Sequence, residues 1–173
     1  MNSLNNVIQE TITTNKFDDP FYVVDVENII EKHKRWMSKL PRIKPFYAVK
    51  CNDSRHVIEI LAALGIGFDC ASKNEIVDVL SIGVTPNRII YANPCKRKSH
   101  IEYAVKENVN LMTFDNEEEL YKIADCAPNA KLVIRIKADD SHSKYHLGRK
   151  FGAEMKNVSA LLQVAKHLHL NVI

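Results

Sequence analysis

The sequence has 173 residues, 46% hydrophobic and 26% charged, with a formal net charge of +3. That length buries one sizeable core but crowds two full domains, the composition is that of an ordinary globular protein, and so small a positive charge gives no ground for nucleic-acid binding. No apolar run reaches the roughly 20 residues that cross a bilayer, the N-terminus lacks an apolar targeting core, and the four widely spaced cysteines (Cys51, Cys70, Cys95, Cys126) form no CxxC pair. Such spacing suits neither a zinc cage nor a disulfide framework and fits a reducing compartment, so a cytosolic protein without a membrane partner is expected.

Residues 1–19 are polar and weakly patterned, and read as a lead-in to a domain that begins at Pro20. Phe21-Tyr22-Val23-Val24 is β-prone, and Asp25 is placed to cap a following helix. In that helix Val26, Ile29, Ile30, His33, Met37 and Leu40 recur at three- and four-residue steps until Pro41 stops it. A buried strand is expected from about Lys44 to Lys50. Asn52 or Ser54 then opens a helix whose inner side carries Val57, Ile58, Leu61 and Leu64, with Gly65 just past its end. Ile66–Cys70 reads as a strand, and Ser72-Lys73-Asn74-Glu75 has the spacing of a capping box; Gly83 ends the helix it starts.

Strands are likewise expected at Arg88–Ala92, Asn110–Phe114 and Lys131–Ile136. Between them, Ser99-His100-Ile101-Glu102 offers a second capping box and Asp115-Asn116-Glu117-Glu118 an acidic helix start. A polar loop then runs to about Gly152, followed by a helix over about 157–168 and a strand opening at Asn171-Val172-Ile173. The basic cluster Lys96-Arg97-Lys98 has no interleaved aromatic residue and reads as a solvated loop.

Strand centres near 47, 68, 90, 112 and 134 recur about every 22 residues. Each unit is a βα pair, and right-handed crossovers make the strands parallel. An open doubly wound sheet and a (β/α)8 TIM-type barrel both satisfy this series. No glycine-rich fingerprint follows the first strand, and the near-constant period favours the barrel. Five βα units and the start of a sixth strand are expected, so the barrel is incomplete in this chain.

In parallel α/β folds, the C-terminal strand ends face the ligand crevice. Lys50, Asp69, Asn93 and Arg135 stand at or just beyond successive ends, with Glu75 one helical turn past Asp69. An amine with an apolar strand behind it is partly desolvated, which favours the neutral form that attacks a carbonyl; a nearby carboxylate opposes this and a nearby guanidinium assists it. Each residue also has a plainer reading. Lys50 fits a surface lysine in a strand-to-helix turn, Asp69 a turn or capping carboxylate, Arg135 an ion pair with Asp139 or Asp140, and Glu75 its capping box. His142 and His146 sit four apart in the polar loop, but no helix signal places them on one face, and no metal site is expected.

Four motifs then make a resemblance specific. Phe46-Tyr47-Ala48-Val49-Lys50-Cys51-Asn52, Gly67-Phe68-Asp69-Cys70-Ala71-Ser72, Ile89-Ile90-Tyr91-Ala92-Asn93-Pro94-Cys95-Lys96 and Lys150-Phe151-Gly152 follow in that order. Together they resemble eukaryotic ornithine decarboxylase, a pyridoxal-phosphate enzyme of the alanine-racemase-like barrel group, from Pro20 to Ile173. The resemblance implies that Lys50 bonds covalently to pyridoxal 5'-phosphate, that Ala48, Asp69, Glu75 and Arg135 surround it, and that Lys150 meets the second subunit of a homodimer. It implies decarboxylation of L-ornithine to putrescine, a step of polyamine biosynthesis. The polarity and length of the loop from Ala138 to Gly148 read as those of a lid.

Family members continue into a glycine-rich phosphate-binding turn, an acidic partner for the pyridine nitrogen and a C-terminal β-domain. None of these lies within the 173 residues, so this chain alone is expected to be inactive. Antizyme-inhibitor proteins, catalytically silent relatives that lose cofactor-contacting residues, give the alternative of a non-catalytic regulator. Antizyme is bound in this family through the segment corresponding to Lys98–Lys122. There the chain carries Glu102 and the run Glu117-Glu118-Glu119 where basic residues are expected, which speaks against antizyme binding.

Overall fold

The computed structural model describes residues 4–14, 19–145, 148 and 150–173. Two compact units divide the chain, Met1–Ile43 and Lys44–Ile173.

In the first unit the polar lead-in contains a helix, α1 (Leu4–Thr14), which periodicity did not announce. Its threonines turn their hydroxyls back onto the helix, Thr11 to the Val7 carbonyl and Thr14 to that of Glu10, so β-branched polar residues are accommodated without a strand. Phe21–Val24 forms no strand, contrary to expectation: Tyr22 is 99% exposed, and among the described residues of this unit no strand supplies a ladder. Helix α2 (Val26–Lys39) starts as anticipated, the Asp25 carboxylate accepting the Asn28 N–H at 2.9 Å. Trp36 closes its far end by donating Nε1–H to the Ile43 carbonyl at 2.9 Å.

The second unit is a six-stranded parallel sheet whose spatial order follows the chain: β1 (Phe46–Ala48), β2 (Gly67–Cys70), β3 (Ile89–Tyr91), β4 (Leu111–Phe114), β5 (Lys131–Ile134) and β6 (Asn171–Val172). Helices α3 (Arg55–Ala63), α4 (Lys73–Ser81), α5 (Lys98–Lys106), α6 (Glu117–Cys126) and α7 (Met155–His167) join them. This sequential parallel order is that of a partial (β/α)8 barrel, as the constant period predicts.

Phe68, Cys70, Ile89, Tyr91, Met112, Phe114 and Leu132 form the buried face, closed by Val57, Ile58 and Leu61 of α3, Ile76 and Val79 of α4, Ile101 of α5 and Leu120 and Ile123 of α6. Helix starts divide by chemistry. Ser72 accepts from Glu75 N–H and Asn116 from Glu119 N–H, so α4 and α6 are capped where the sequence places caps. The Ser99 capping box does not form. Helix α5 begins earlier, with the Arg97 carbonyl already accepting the His100 and Ile101 N–H groups, which leaves Ser99 inside the helix.

On the opposite rim of the sheet, Arg88 donates to the carbonyls of Ala62 and Ile66 at 2.8 Å each, tying the end of α3 to the entry of β2. No helix among the described residues is long and apolar enough to cross a membrane.

Candidate functional site

Strand register decides which side chains share a face. Ala48 pairs with Asp69 and Asp69 with Ile90; Ile90 pairs with Leu111, and two residues further along β4 Thr113 pairs with Val133. Because side chains alternate along a strand, Ala48, Asp69, Ile90, Thr113, Val133 and Arg135 all project from one side. It is the side away from the buried core, and Ala48, Asp69, Ile90, Val133 and Arg135 are half-buried there. Arg135 lies just past β5, and its N–H continues the ladder by donating to the Phe114 carbonyl at 2.8 Å.

Lys50 is placed differently from the sequence reading. Strand β1 stops at Ala48, and Val49–Cys51 turn into a single 3-10 turn, so the lysine leaves the sheet before the strand reaches it. Only Val49 of this stretch is buried, while Phe46 and Lys50 are exposed. Among the described residues β1 has a strand neighbour on one side only. The expected desolvated amine is therefore a solvent-facing amine at the mouth of the sheet face.

Electrostatics nonetheless join the predicted residues. Burial pushes the Asp69 carboxyl above its ordinary range, while Lys50 and then Arg135 pull it back down. Charges at the ends of β1 and β5 thus act on one carboxylate at the end of β2. Arg135 forms no ion pair among the described residues, with Asp139, Asp140 or any other carboxylate; its guanidinium instead faces the Phe151 ring, Cζ to centroid 5.3 Å.

Glu75 is held by backbone. Its carboxylate accepts the Ala71 N–H while its own N–H is capped by Ser72, the structural role its spacing suggests. Asn93 bridges strand ends, donating to the Ala71 carbonyl at 3.2 Å and accepting the Cys95 N–H at 3.1 Å. Lys150 is exposed, with Nζ 5.1 Å from the Phe151 centroid. His146 lies outside the described residues, and among those described no group of three metal-ligating side chains comes together.

One misreading is instructive. Lys96, taken from its basic neighbours as solvated, is 2% exposed. Its ammonium lies 2.8 Å from Glu119 and donates to the Thr113 carbonyl at 2.6 Å, while Lys122 approaches the other Glu119 oxygen at 2.6 Å. Glu119, from the acidic run at the start of α6, is 1% exposed. Burial holds the Lys96 ammonium below its ordinary value, with Glu119 pulling the other way. The network anchors the loop after β3 to the start of α6, and a charge run alone gives no sign of it.

Two further contributors escaped the sequence reading: Phe151 against Arg135, and Asp115, whose Oδ2 accepts the Gly152 N–H at 2.8 Å. Both sit in stretches the sequence singled out for other reasons. What it lacks is any sign that residue 115 meets residue 152, or residue 135 meets residue 151.

A primary amine, a carboxylate and a guanidinium at one sheet face make a donor set with two cations and one anion. Such a set suits an anionic aldehyde, since the amine condenses with the carbonyl and the net positive charge favours the phosphate. These residues fit pyridoxal phosphate.

The fold and this face define a pyridoxal-binding barrel. Residues 26–173 match the model of the pyridoxal-dependent decarboxylase family's pyridoxal binding domain, and the chain belongs to that family, whose cofactor is pyridoxal phosphate. It is 56% identical over 155 residues both to ornithine decarboxylase of Rattus norvegicus and to antizyme inhibitor 2 of Xenopus laevis, in each case 90% of this chain and 34% of the relative. Among solved structures, the arginine decarboxylase of Paramecium bursaria Chlorella virus superposes with a TM-score of 0.95 at 36% identity, covering 98% of this chain and 46% of that one. The ornithine decarboxylase of Entamoeba histolytica gives 0.85 at 31%, covering 97% and 47%. The chain spans about a third of the length of the curated relatives it matches.

Proposed function

We propose that this chain carries the Lys50-bearing part of the pyridoxal-phosphate site of an L-ornithine decarboxylase, the enzyme that converts ornithine to putrescine and carbon dioxide in polyamine biosynthesis. The observation that carries the reading is the strand register, which puts Asp69 and Arg135 on one sheet face with Lys50 in the turn just past the end of β1. Its support for ornithine over arginine or lysine is the 56% identity to a mammalian ornithine decarboxylase.

In this reading Lys50 and Asp69 are catalytic. Lys50 would supply the primary amine that holds the cofactor through its aldehyde. Asp69 sits between two cations and fixes their spacing, Ala48 leaves the face shallow beside it, and Arg135 and Glu75 border the pocket. Pyridoxal phosphate, when bound, would supply the electron sink for loss of the α-carboxylate as carbon dioxide. Lys150 is proposed to pair with a second subunit in a homodimer. The 173-residue chain by itself is proposed to be inactive, because the phosphate-holding turn and the acidic partner of the ring nitrogen expected for the family lie outside it.

The test is to incubate the chain with pyridoxal phosphate, reduce with borohydride and map the labelled lysine. Label concentrated on Lys50 and lost in Lys50→Ala supports the reading. Label spread over the surface lysines with no preference for Lys50 sinks it. Release of labelled carbon dioxide from carboxyl-labelled ornithine by the 173-residue chain would overturn the proposal that it is inactive alone.

The equal identity to antizyme inhibitor 2 favours a second reading, a non-catalytic regulator that binds a decarboxylase subunit or antizyme. Capture of either partner that survives Lys50→Ala, together with no Lys50 labelling, would select it.

A further inference from the structure

Past β5 the chain leaves the sheet and comes back onto it at Phe151–Ala153. Two contacts of that return are backbone pairs: Ala153 N–H donates to the Arg135 carbonyl at 2.8 Å, and Lys137 N–H donates to the Ala153 carbonyl at 2.9 Å. The third needs a particular side chain. Gly152 N–H donates to Asp115 Oδ2 at 2.8 Å, reaching the residue that follows β4, while Asp115 Oδ1 accepts from the Asn116 side chain at 2.8 Å. The backbone is pressed close here. Gly152 has φ +113°, and a Cβ on it would stand 2.8 Å from the Lys137 nitrogen, so no other residue is accommodated without movement. Phe151, fixed by its neighbour, presents its ring to the Arg135 guanidinium at 5.3 Å.

We propose that Asp115 is a positioning residue: by holding Gly152 it fixes Phe151 against the Arg135 guanidinium, and so keeps that guanidinium on the sheet face it shares with Asp69. Asp115 acts through Phe151 and Arg135. Its consequence for cofactor binding rests on the reading of the site given above, whereas the positioning itself does not. An arginine has a long flexible stem, and a ring against one face of the guanidinium removes much of that freedom. Without the latch, the ring and the charge are free to move toward solvent.

Asp69 is the reporter, since Arg135 is one of the two charges acting on it. Its carboxyl is followed by carbon-13 NMR across pH in the 173-residue chain, with the resonance assigned by its loss in Asp69→Asn. Arg135→Gln moves the Asp69 midpoint upward, because a stabilising cation has gone. Asp115→Ala moves it upward by a comparable amount and adds nothing in the Arg135→Gln background. Asp115→Asn, which keeps an oxygen for the Gly152 N–H and drops the charge, restores the wild-type midpoint.

The proposal is overturned by an Asp69 midpoint that stays at the wild-type value in Asp115→Ala or in Arg135→Gln. It is equally overturned by an Asp115→Asn shift as large as that of the alanine variant, or by additive shifts in the double variant. Should Asp115→Ala fail to fold, Phe151→Leu is read in the same way: an upward shift supports the latch, and an unmoved midpoint removes it. Failure of borohydride to label Lys50 while these shifts hold counts against the cofactor reading alone.

Discussion

At the residue scale, the chain places charge where burial works against it, and the two instances differ. Asp69 is half-buried on the open face, and burial dominates its titration despite two nearby cations. A carboxyl whose folded value lies above its unfolded one binds more protons in the folded state, so stability falls as pH rises through that window. Asp69→Asn should therefore be more stable than wild type at neutral pH and should lose this slope, while losing the site's carboxylate. Urea midpoints at a series of pH values between about 3 and 7 check it, and a neutral-pH midpoint below wild type would contradict it.

Glu119 is the opposite case, fully enclosed between two ammonium groups. Removing its charge by Glu119→Gln leaves Lys96 buried without its counter-ion, and the expected loss is about 3–5 kcal/mol by chemical denaturation. Lys96→Met should cost clearly less, because Lys122 still serves the carboxylate. If both substitutions cost the same, the network is not organised around Glu119.

At the element scale, the helix caps give the cleanest contrast. Ser72→Ala should destabilise by about 1 kcal/mol, since its hydroxyl satisfies the Glu75 N–H. Ser99→Ala should change little, because α5 starts at the Arg97 carbonyl instead. Thermal melts of the two variants separate these outcomes, and equal losses would mean that α5 is capped after all.

Helix and strand order in the second unit was legible because each βα unit is local: period-2 and period-3.6 patterns, turn glycines and polar caps all lie within about 20 residues of one another. Local signals failed where a neighbour decides. Phe21–Val24 has strand composition but no partner strand among the described residues of its unit, Lys50 reads as part of a strand that turns away before reaching it, and Lys96 has the sequence context of a surface loop but the environment of a core. The same holds for the site. Lys50, Asp69 and Arg135 were legible as strand-end residues, and Arg135 facing Phe151 instead of Asp139 or Asp140 was not, because that choice depends on how the chain returns at Gly152.

At the scale of the whole molecule, the barrel portion should protect its backbone unevenly. Strands β2, β3 and β4 have strand neighbours on both sides and helices over the buried face, whereas β1 and β6 each pair with one strand only among the described residues. Hydrogen exchange should be slowest at Phe68, Tyr91 and Met112 and fastest in the β1 and β6 amides. Uniform protection across all six strands would show that the outer strands are covered in solution.

The spatial order of the strands, identical to their order in the chain, has a kinetic consequence. From β1 to β5, each new strand docks on one made about 20 residues earlier, as Gly67 on Phe46 and Lys131 on Leu111. A chain emerging from the ribosome never has to wait for a distant segment before its next strand can pair, so this sheet can grow in the direction of synthesis, and early folding carries little penalty of loop closure. The longest wait falls between β5 and β6, across the stretch that Asp115 and Gly152 fasten down.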